Sequence, residues 1–289
     1  MAVGGDGTAR LPDGRRLGFT EWGDPGGDVV LSFHGGGTCR LFVVGGDDRA
    51  AALGVRVIGV DRPGFGLSDH QPGRTTPDWP ADVAALLDAR EIDRCAVIGV
   101  SAGGRYALAC GAAPVLAGRV AAVGVVAGAL PPEWYPGDDL AALAAADRGA
   151  AAQAARDAVA AIAADVDAAV AAAAGRPGPD GEGLRRPAVR DLFAASYREA
   201  FRGGLDGPAL DLLLTNSPWG FDLADVAVPV RWWHGTRDWL TSPDDVRRAL
   251  RSVPDAELTV IRGAGHSVGV DIGADVLGRL AADLRDGTG

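Results

Sequence analysis

The sequence contains no lysine, so all 28 of its Lys-plus-Arg residues are arginine, set against 38 Asp and Glu for a formal net charge of −10. No arginine-dense run relieves that acidity, which argues against nucleic acid and anionic membranes as partners. Cysteine is scarce. Cys39, Cys95 and Cys110 are odd in number, and their spacing matches no zinc or redox motif. Cys95 and Cys110 read as small apolar residues of a strand and a helix, and a reducing compartment fits. Long apolar runs are missing too. Asp, Arg and Gly interrupt each one, which leaves no membrane span, and Met1–Arg16 has no apolar signal core. The expectation is a soluble, cytoplasmic chain that meets a small-molecule substrate and at most a second copy of itself as a homodimer, with no nucleic-acid or membrane partner.

What is present suffices for a large core: 289 residues, 47% of them hydrophobic. Short apolar runs that read as strands alternate with runs of helical spacing. Residues 8–23 read as a hairpin about Asp13-Gly14. Strands follow at Asp28–Phe33, Val55–Val60, Cys95–Gly99, Val120–Ala127, Val230–Trp233 and Leu258–Ile261. Helices are expected at Trp79–Arg90, Arg105–Ala113, Pro243–Arg251 (with Ser242 as N-cap) and Ala274–Leu284. This alternation implies an α/β fold with a mostly parallel sheet, whose functional groups gather at the carboxyl ends of the strands. Between about 131 and 218 the alternation stops. Leu140–Ala174 is alanine-dominated and reads as one or two long helices. Arg176–Gly183 reads as a Pro/Gly loop, Pro187–Arg202 as an amphipathic helix, and Leu205–Asn216 as another. The chain therefore divides into a core (1–130 and 219–289) and a helical insertion (131–218).

One stretch organises the rest. Gly99-Val100-Ser101-Ala102-Gly103 sits where a strand turns into a helix, and it has the G-x-S-x-G spacing of a nucleophile elbow. A serine there needs a base, and the base needs a group to orient it. Of the four histidines, His70 lies in a surface-like loop and His234 reads as fastening its own turn. His266 follows the last strand, and Asp238 follows the strand before it. Ser101, Asp238, His266 is the chain order of a strand-borne triad. Asp222, Asp225 and Glu133 are weaker acid candidates. The oxyanion donors are expected to be the amides of Ala102 and, in His34-Gly35-Gly36-Gly37, of Gly36. Gly35, Leu41, Phe42, Trp134, Tyr135, Trp219 and Trp239 are candidates for the pocket wall. Arg105 could meet a substrate anion, though an exposed helix arginine is the simpler account.

These landmarks, together with Asp61-Arg62-Pro63-Gly64-Phe65-Gly66-Leu67-Ser68 and His234-Gly235, resemble the α/β-hydrolase fold superfamily over nearly the whole chain. The resemblance implies an eight-stranded sheet with a helical cap between strands six and seven. It implies no metal and no organic cofactor. A serine at 101 departs from relatives with an aspartate nucleophile, such as haloalkane dehalogenases and epoxide hydrolases. The function expected is a serine hydrolase of a small or medium ester. The alternatives are a C–C bond hydrolase, a perhydrolase, a cyclase or lyase of secondary metabolism, and a non-catalytic ligand receptor.

Overall fold

The structure, a computed structural model, describes residues 5–132 and 139–286. Glu133, Trp134 and Tyr135 lie outside the described residues. Eight strands form one sheet: β1 (Asp6–Arg10), β2 (Arg16–Gly23), β3 (Asp28–Phe33), β4 (Val55–Val60), β5 (Cys95–Val100), β6 (Val120–Val126), β7 (Val230–Gly235) and β8 (Ala256–Ile261). Their order is β1-β2-β4-β3-β5-β6-β7-β8. The pairs β1–β2 and β2–β4 are antiparallel, and every other pair is parallel. β5 is central, and all six of its residues are buried. That explains its unbroken apolar run, because a parallel strand covered on both faces has no solvent side to alternate with.

Helices α1 (Asp47–Ala52), α2 (Trp79–Ala89) and α3 (Gly103–Ala112) belong to the first half of the sheet. α10 (Pro243–Leu250) and α11 (Gly269–Asp286) belong to the second. Residues of α2, α3 and α10 pack with Leu31, Phe33 and Val123 into one apolar cluster. Residues of α1 and α11 pack with Val30, Ile98 and Val126 into another. Adjacent residues of a strand thus point into opposite layers, which gives a helix–sheet–helix sandwich. Ser242 caps α10 by accepting from the Asp245 amide.

Among the described residues, six α-helices lie between β6 and β7: α4 (Asp139–Ala146), α5 (Arg148–Ala164), α6 (Val166–Ala174), α7 (Pro179–Leu184), α8 (Pro187–Ala200) and α9 (Asp206–Thr215). The alanine-rich run is therefore three helices rather than one or two. Aspartates punctuate it. Asp147 accepts from the Gly149 and Ala150 amides, and Asp165 accepts from the Ala168 amide, so each side chain caps a new helix. The loop expected over Arg176–Gly183 contains α7, which opens with Pro179 in its first turn followed by Asp180 and Glu182. Proline and acidic residues are favoured there because the first amides lack helical acceptors.

Candidate active site

The serine turn is closely packed. Ser101 has φ of 51°, a left-handed conformation unusual for a residue with a side chain. Its neighbours leave no room for one. A Cβ on Gly99 would lie 2.2 Å from the Gly103 carbonyl oxygen, and a Cβ on Gly103 would lie 2.2 Å from that of Phe33. Glycine at both positions lets β5, the turn and α3 close on each other, with Ser101 projecting at the carboxyl end of β5.

The last two parallel strands bring up the other groups. Asp238 follows β7 and His266 follows β8, each at the carboxyl end of its strand. His266 Nε2 lies 2.8 Å from Ser101 Oγ, and its Nδ1 lies 2.9 Å from an Asp238 oxygen. The tautomer follows from the partners. A carboxylate can only accept, so Nδ1 carries a proton, and in the neutral ring the Nε2 lone pair is left to accept from the serine hydroxyl. The Asp238 side chain is fully buried, whereas that of His266 is 19% exposed. Burial alone would raise the Asp238 carboxyl. The His266 hydrogen bond, the charge of that ring and the Leu240 amide outweigh it and hold the group below the ordinary carboxylate range. His234 is buried beside this carboxylate but bonds elsewhere. Its Nε2 donates to the Thr241 carbonyl and its Nδ1 accepts from Trp232, so it fastens its own turn. Asp222 accepts from the Ala224 amide, capping a single turn.

Ser101 opens into a cavity of about 260 Å³. Gly35 and Gly36 line it beside the serine, with Phe42 and Trp239. Ala102 is the N-cap of α3, so its amide precedes the helix's own acceptors and is free of intrahelical bonding. The far wall comes from the insertion, through Ala173, Arg176, Asp180, Leu184, Phe193 and Tyr197. Phe42 meets Phe193 edge-on with centroids 4.8 Å apart. Trp239 is 62% exposed, and its ring lies 5.7 Å from His266 on one side and 5.5 Å from the Arg176 guanidinium on the other.

Two wall candidates lie elsewhere. Trp219 is buried in the main core cluster and stacks on Phe221; the indole is absorbed by the layer beneath the sheet. Leu41 packs with Cys39, Phe65, Ala200 and Phe201, on the side of its loop away from the cavity. Arg105 also departs from the expectation of an exposed helix arginine. It is 1% exposed and paired with Asp211 of α9. The cavity wall also includes Asp180, Leu184 and Ser267, which no sequence motif singles out. Pro179-Asp180 marks a helix start, and the Asp180 carboxylate accepts from Ser267 N (2.7 Å) and Oγ (2.6 Å), next to His266. All three cysteines are buried free thiols. Among the described residues no three His, Cys, Asp or Glu side chains gather to hold a metal ion, and no helix is long and apolar enough to cross a membrane.

Comparison with known proteins agrees with this architecture. Residues 29–276 match the model of the Alpha/beta hydrolase family. A non-heme chloroperoxidase of Streptomyces lividans is 33% identical over 143 residues, which is 46% of this chain and 48% of that protein, so the chain matches about half the length of that curated relative. Among solved structures, a thermophilic esterase of Thermogutta terrifontis superposes with a TM-score of 0.70 at 20% identity, covering 98% of both chains. An enol-lactonase of Burkholderia xenovorans superposes with a TM-score of 0.67 at 20% identity, covering 97% of this chain and all of that one. With its sheet order, its serine turn and a family match over most of its length, the chain belongs to the alpha/beta hydrolase family.

Proposed function

We propose that the protein is a serine hydrolase of small to medium carboxylic esters, and that helices α4–α9 act as a cap that selects the substrate. The observation that carries this reading is the unbroken line of hydrogen bonds from Ser101 Oγ through His266 to Asp238 at the floor of a cavity. Ser101 Oγ attacks the ester carbonyl carbon as its proton passes to His266 Nε2. Asp238 holds the ring and stabilises the imidazolium that forms. The amides of Ala102 and Gly36 take the developing oxyanion. The tetrahedral intermediate collapses, and His266 gives the proton to the departing alcohol. Water then loses a proton to His266 and attacks the acyl-serine; the acyl–Oγ bond breaks, His266 returns the proton to Ser101 Oγ, and the acid leaves the free enzyme.

The lining supports small, largely apolar acyl groups. Phe42, Leu184, Phe193, Tyr197 and Val270 surround the serine, and about 260 Å³ sits just below the common range for ligand pockets. A second reading is favoured by the partial match to a non-heme chloroperoxidase: hydrogen peroxide could take the acyl group in place of water and leave as a peracid.

The experiment is turnover of p-nitrophenyl acetate and butyrate by the full chain and its Ser101→Ala variant, with peracid assayed when peroxide is added. Loss of about 10⁴-fold or more in Ser101→Ala is expected, because triad members act as a unit. Wild-type turnover by that variant would overturn the reading. Peracid in place of free acid would select the second.

A further inference from the structure

Behind the glycine loop lies a buried ionic cluster that the proposed chemistry does not touch. Asp211, on α9 of the insertion, is 2% exposed. Three guanidiniums from the core close on its carboxylate: Arg62 at 2.8 Å, Arg74 at 2.9 Å and Arg105 at 3.2 Å. Tyr106 Oη donates to the same carboxylate at 2.6 Å and accepts from Arg74 and Arg105. Three positive charges therefore surround one negative charge in a buried site. The face of Tyr106 offsets part of that excess, since all three guanidiniums lie within 6 Å of its ring centroid.

Arg62 has a second set of partners. While Nε and Nη2 hold Asp211 as a fork, Nη1 donates to the His34 carbonyl and Nη2 donates to the Gly35 carbonyl at 3.2 Å. The Gly35 carbonyl also faces Thr38 Oγ1 at 3.3 Å and His34 Nδ1 at 2.9 Å. The Arg62 amide, which can only donate, lies 3.2 Å from His34 Nε2. Nε2 is therefore the acceptor, and Nδ1–H is the donor to Gly35. Burial, and after it the Arg62 charge, keep this ring well below the ordinary histidine range, so the neutral tautomer persists.

The Gly35 carbonyl and the Gly36 amide belong to one planar trans peptide, so they point in opposite directions. Three donors on the oxygen fix the plane and aim the Gly36 N–H away from Arg62. Ser101 and Ala102 are close neighbours of this peptide: a Cβ built on Gly35 would sit 3.6 Å from Ser101 Cβ, and one built on Gly36 would sit 3.9 Å from Ala102 Cβ. Donors on a carbonyl also polarise its amide and strengthen the N–H as a donor. The uncompensated guanidinium charge behind the peptide favours negative charge in front of it.

We infer that Arg62 is a positioning residue that sets the Gly36 amide as an oxyanion donor, and that Asp211, carried on the cap, holds Arg62 in that position. This rests on the reading of Ser101 as nucleophile. It makes cap docking a condition of a complete oxyanion hole. A cap that lifts takes Asp211 with it and frees the guanidinium that aims the peptide.

The test compares Arg62→Lys, Asp211→Asn and the double variant with wild type on p-nitrophenyl butyrate. Rates are normalised to the fraction of enzyme finally labelled by a fluorophosphonate. Lysine keeps the charge and loses the fork. Loss of one oxyanion donor is worth roughly 10²–10³ in kcat, so a misaimed donor in Arg62→Lys is expected to lower kcat by about 10- to 100-fold with KM within about threefold. Affinity for a trifluoromethyl ketone, which forms a tetrahedral oxyanion adduct, should fall by the same factor as kcat/KM. Asp211→Asn should lose as much as Arg62→Lys, and the double variant no more than either, since all three break one linkage. Wild-type kcat in Arg62→Lys, or a loss confined to KM with ketone affinity unchanged, would overturn the inference. If Asp211→Asn does not fold, the kcat and ketone results for Arg62→Lys decide. Should Ser101→Ala itself stay active, the underlying reading fails instead, which is a separate outcome.

Discussion

At the scale of single residues, the site is built from side chains whose protonation is dictated by their neighbours. His266 lies between an obligatory acceptor, Asp238, and a hydroxyl, and His34 lies between an obligatory donor and a carbonyl. Both rings therefore carry a proton on Nδ1, for different reasons and with different consequences. One opens to the cavity, where the proposed mechanism uses it as the base, and the other is a buried strut. Asp238→Asn tests the first. An amide in place of the carboxylate can present an N–H to Nδ1 and so favours the Nε2–H tautomer, which has no lone pair for the serine proton. Turnover should fall by roughly 10⁴-fold with the melting temperature little changed. Near-wild-type turnover by Asp238→Asn would move the acid elsewhere, with Glu133 the first alternative. The three thiols play no comparable part, since burial pushes Cys39 and Cys95 up to about 12 and Cys110 well above its ordinary value, leaving no thiolate to react.

At the scale of elements, the insertion does more than cover the cavity. α7 places Asp180 against the loop that carries His266, and α9 places Asp211 against the arginine behind the glycine loop. α8 adds Ser196, whose hydroxyl accepts from the Cys39 amide at the end of that same loop. Asp180 gives a clean test, because both Ser267 bonds end on its Oδ1. Asp180→Asn retains such an oxygen, whereas Asp180→Ala retains none. A base displaced by even a fraction of an ångström loses attack geometry, so Asp180→Ala should lower kcat by about tenfold, and Asp180→Asn should stay within about threefold of wild type. Equal losses in the two variants would show that the carboxylate acts by charge and not as an acceptor. The same elements show what one sequence can reveal. The elbow, its two glycines and the strand-end positions of Asp238 and His266 are local patterns with a steric or hydrogen-bonding cause, and each was legible. The Arg105–Asp211 pair was not. An arginine in the first turn of α3 and an aspartate in α9 each resemble a solvated charge, and only a contact spanning 106 residues makes them core. Trp219 failed for a related reason. Its place beside the insertion suggested a cavity wall, but the indole is buried in the main core cluster, stacked on Phe221.

At the scale of the whole molecule, a net charge of −10 coexists with a buried excess of positive charge behind the site. That division shapes stability in acid. Asp211 feels burial first, which raises its pKa. The charges of Arg62, Arg105 and Arg74 reverse this and hold it well below the ordinary carboxylate range. Asp238 and Asp6 are lowered as well, the latter first by its hydrogen bond to Arg40. A carboxylate depressed in the fold contributes stability above its unfolded value, near 4, and loses it as pH falls further. His34, depressed mainly by burial, acts in the same direction from about pH 6.5 downward, because the unfolded chain takes a proton there that the fold refuses. Asp61 opposes them. Burial pushes it up to about 6, so its share of stability is present below about 4 and fades as pH rises through 6. Between pH 6.5 and 4 the two buried groups partly cancel. Below 4 Asp61 is protonated in both states and the depressed carboxylates act unopposed. The melting temperature should therefore decline gently from pH 7 to about 4 and steeply below it. In Asp211→Asn the steep limb should be shallower, since one depressed carboxylate is gone. Melting curves of both proteins from pH 8 to 3 measure this directly. A wild-type melting temperature at pH 3.5 equal to that at pH 7 would mean that the arginine cluster does not hold Asp211 ionised in the fold.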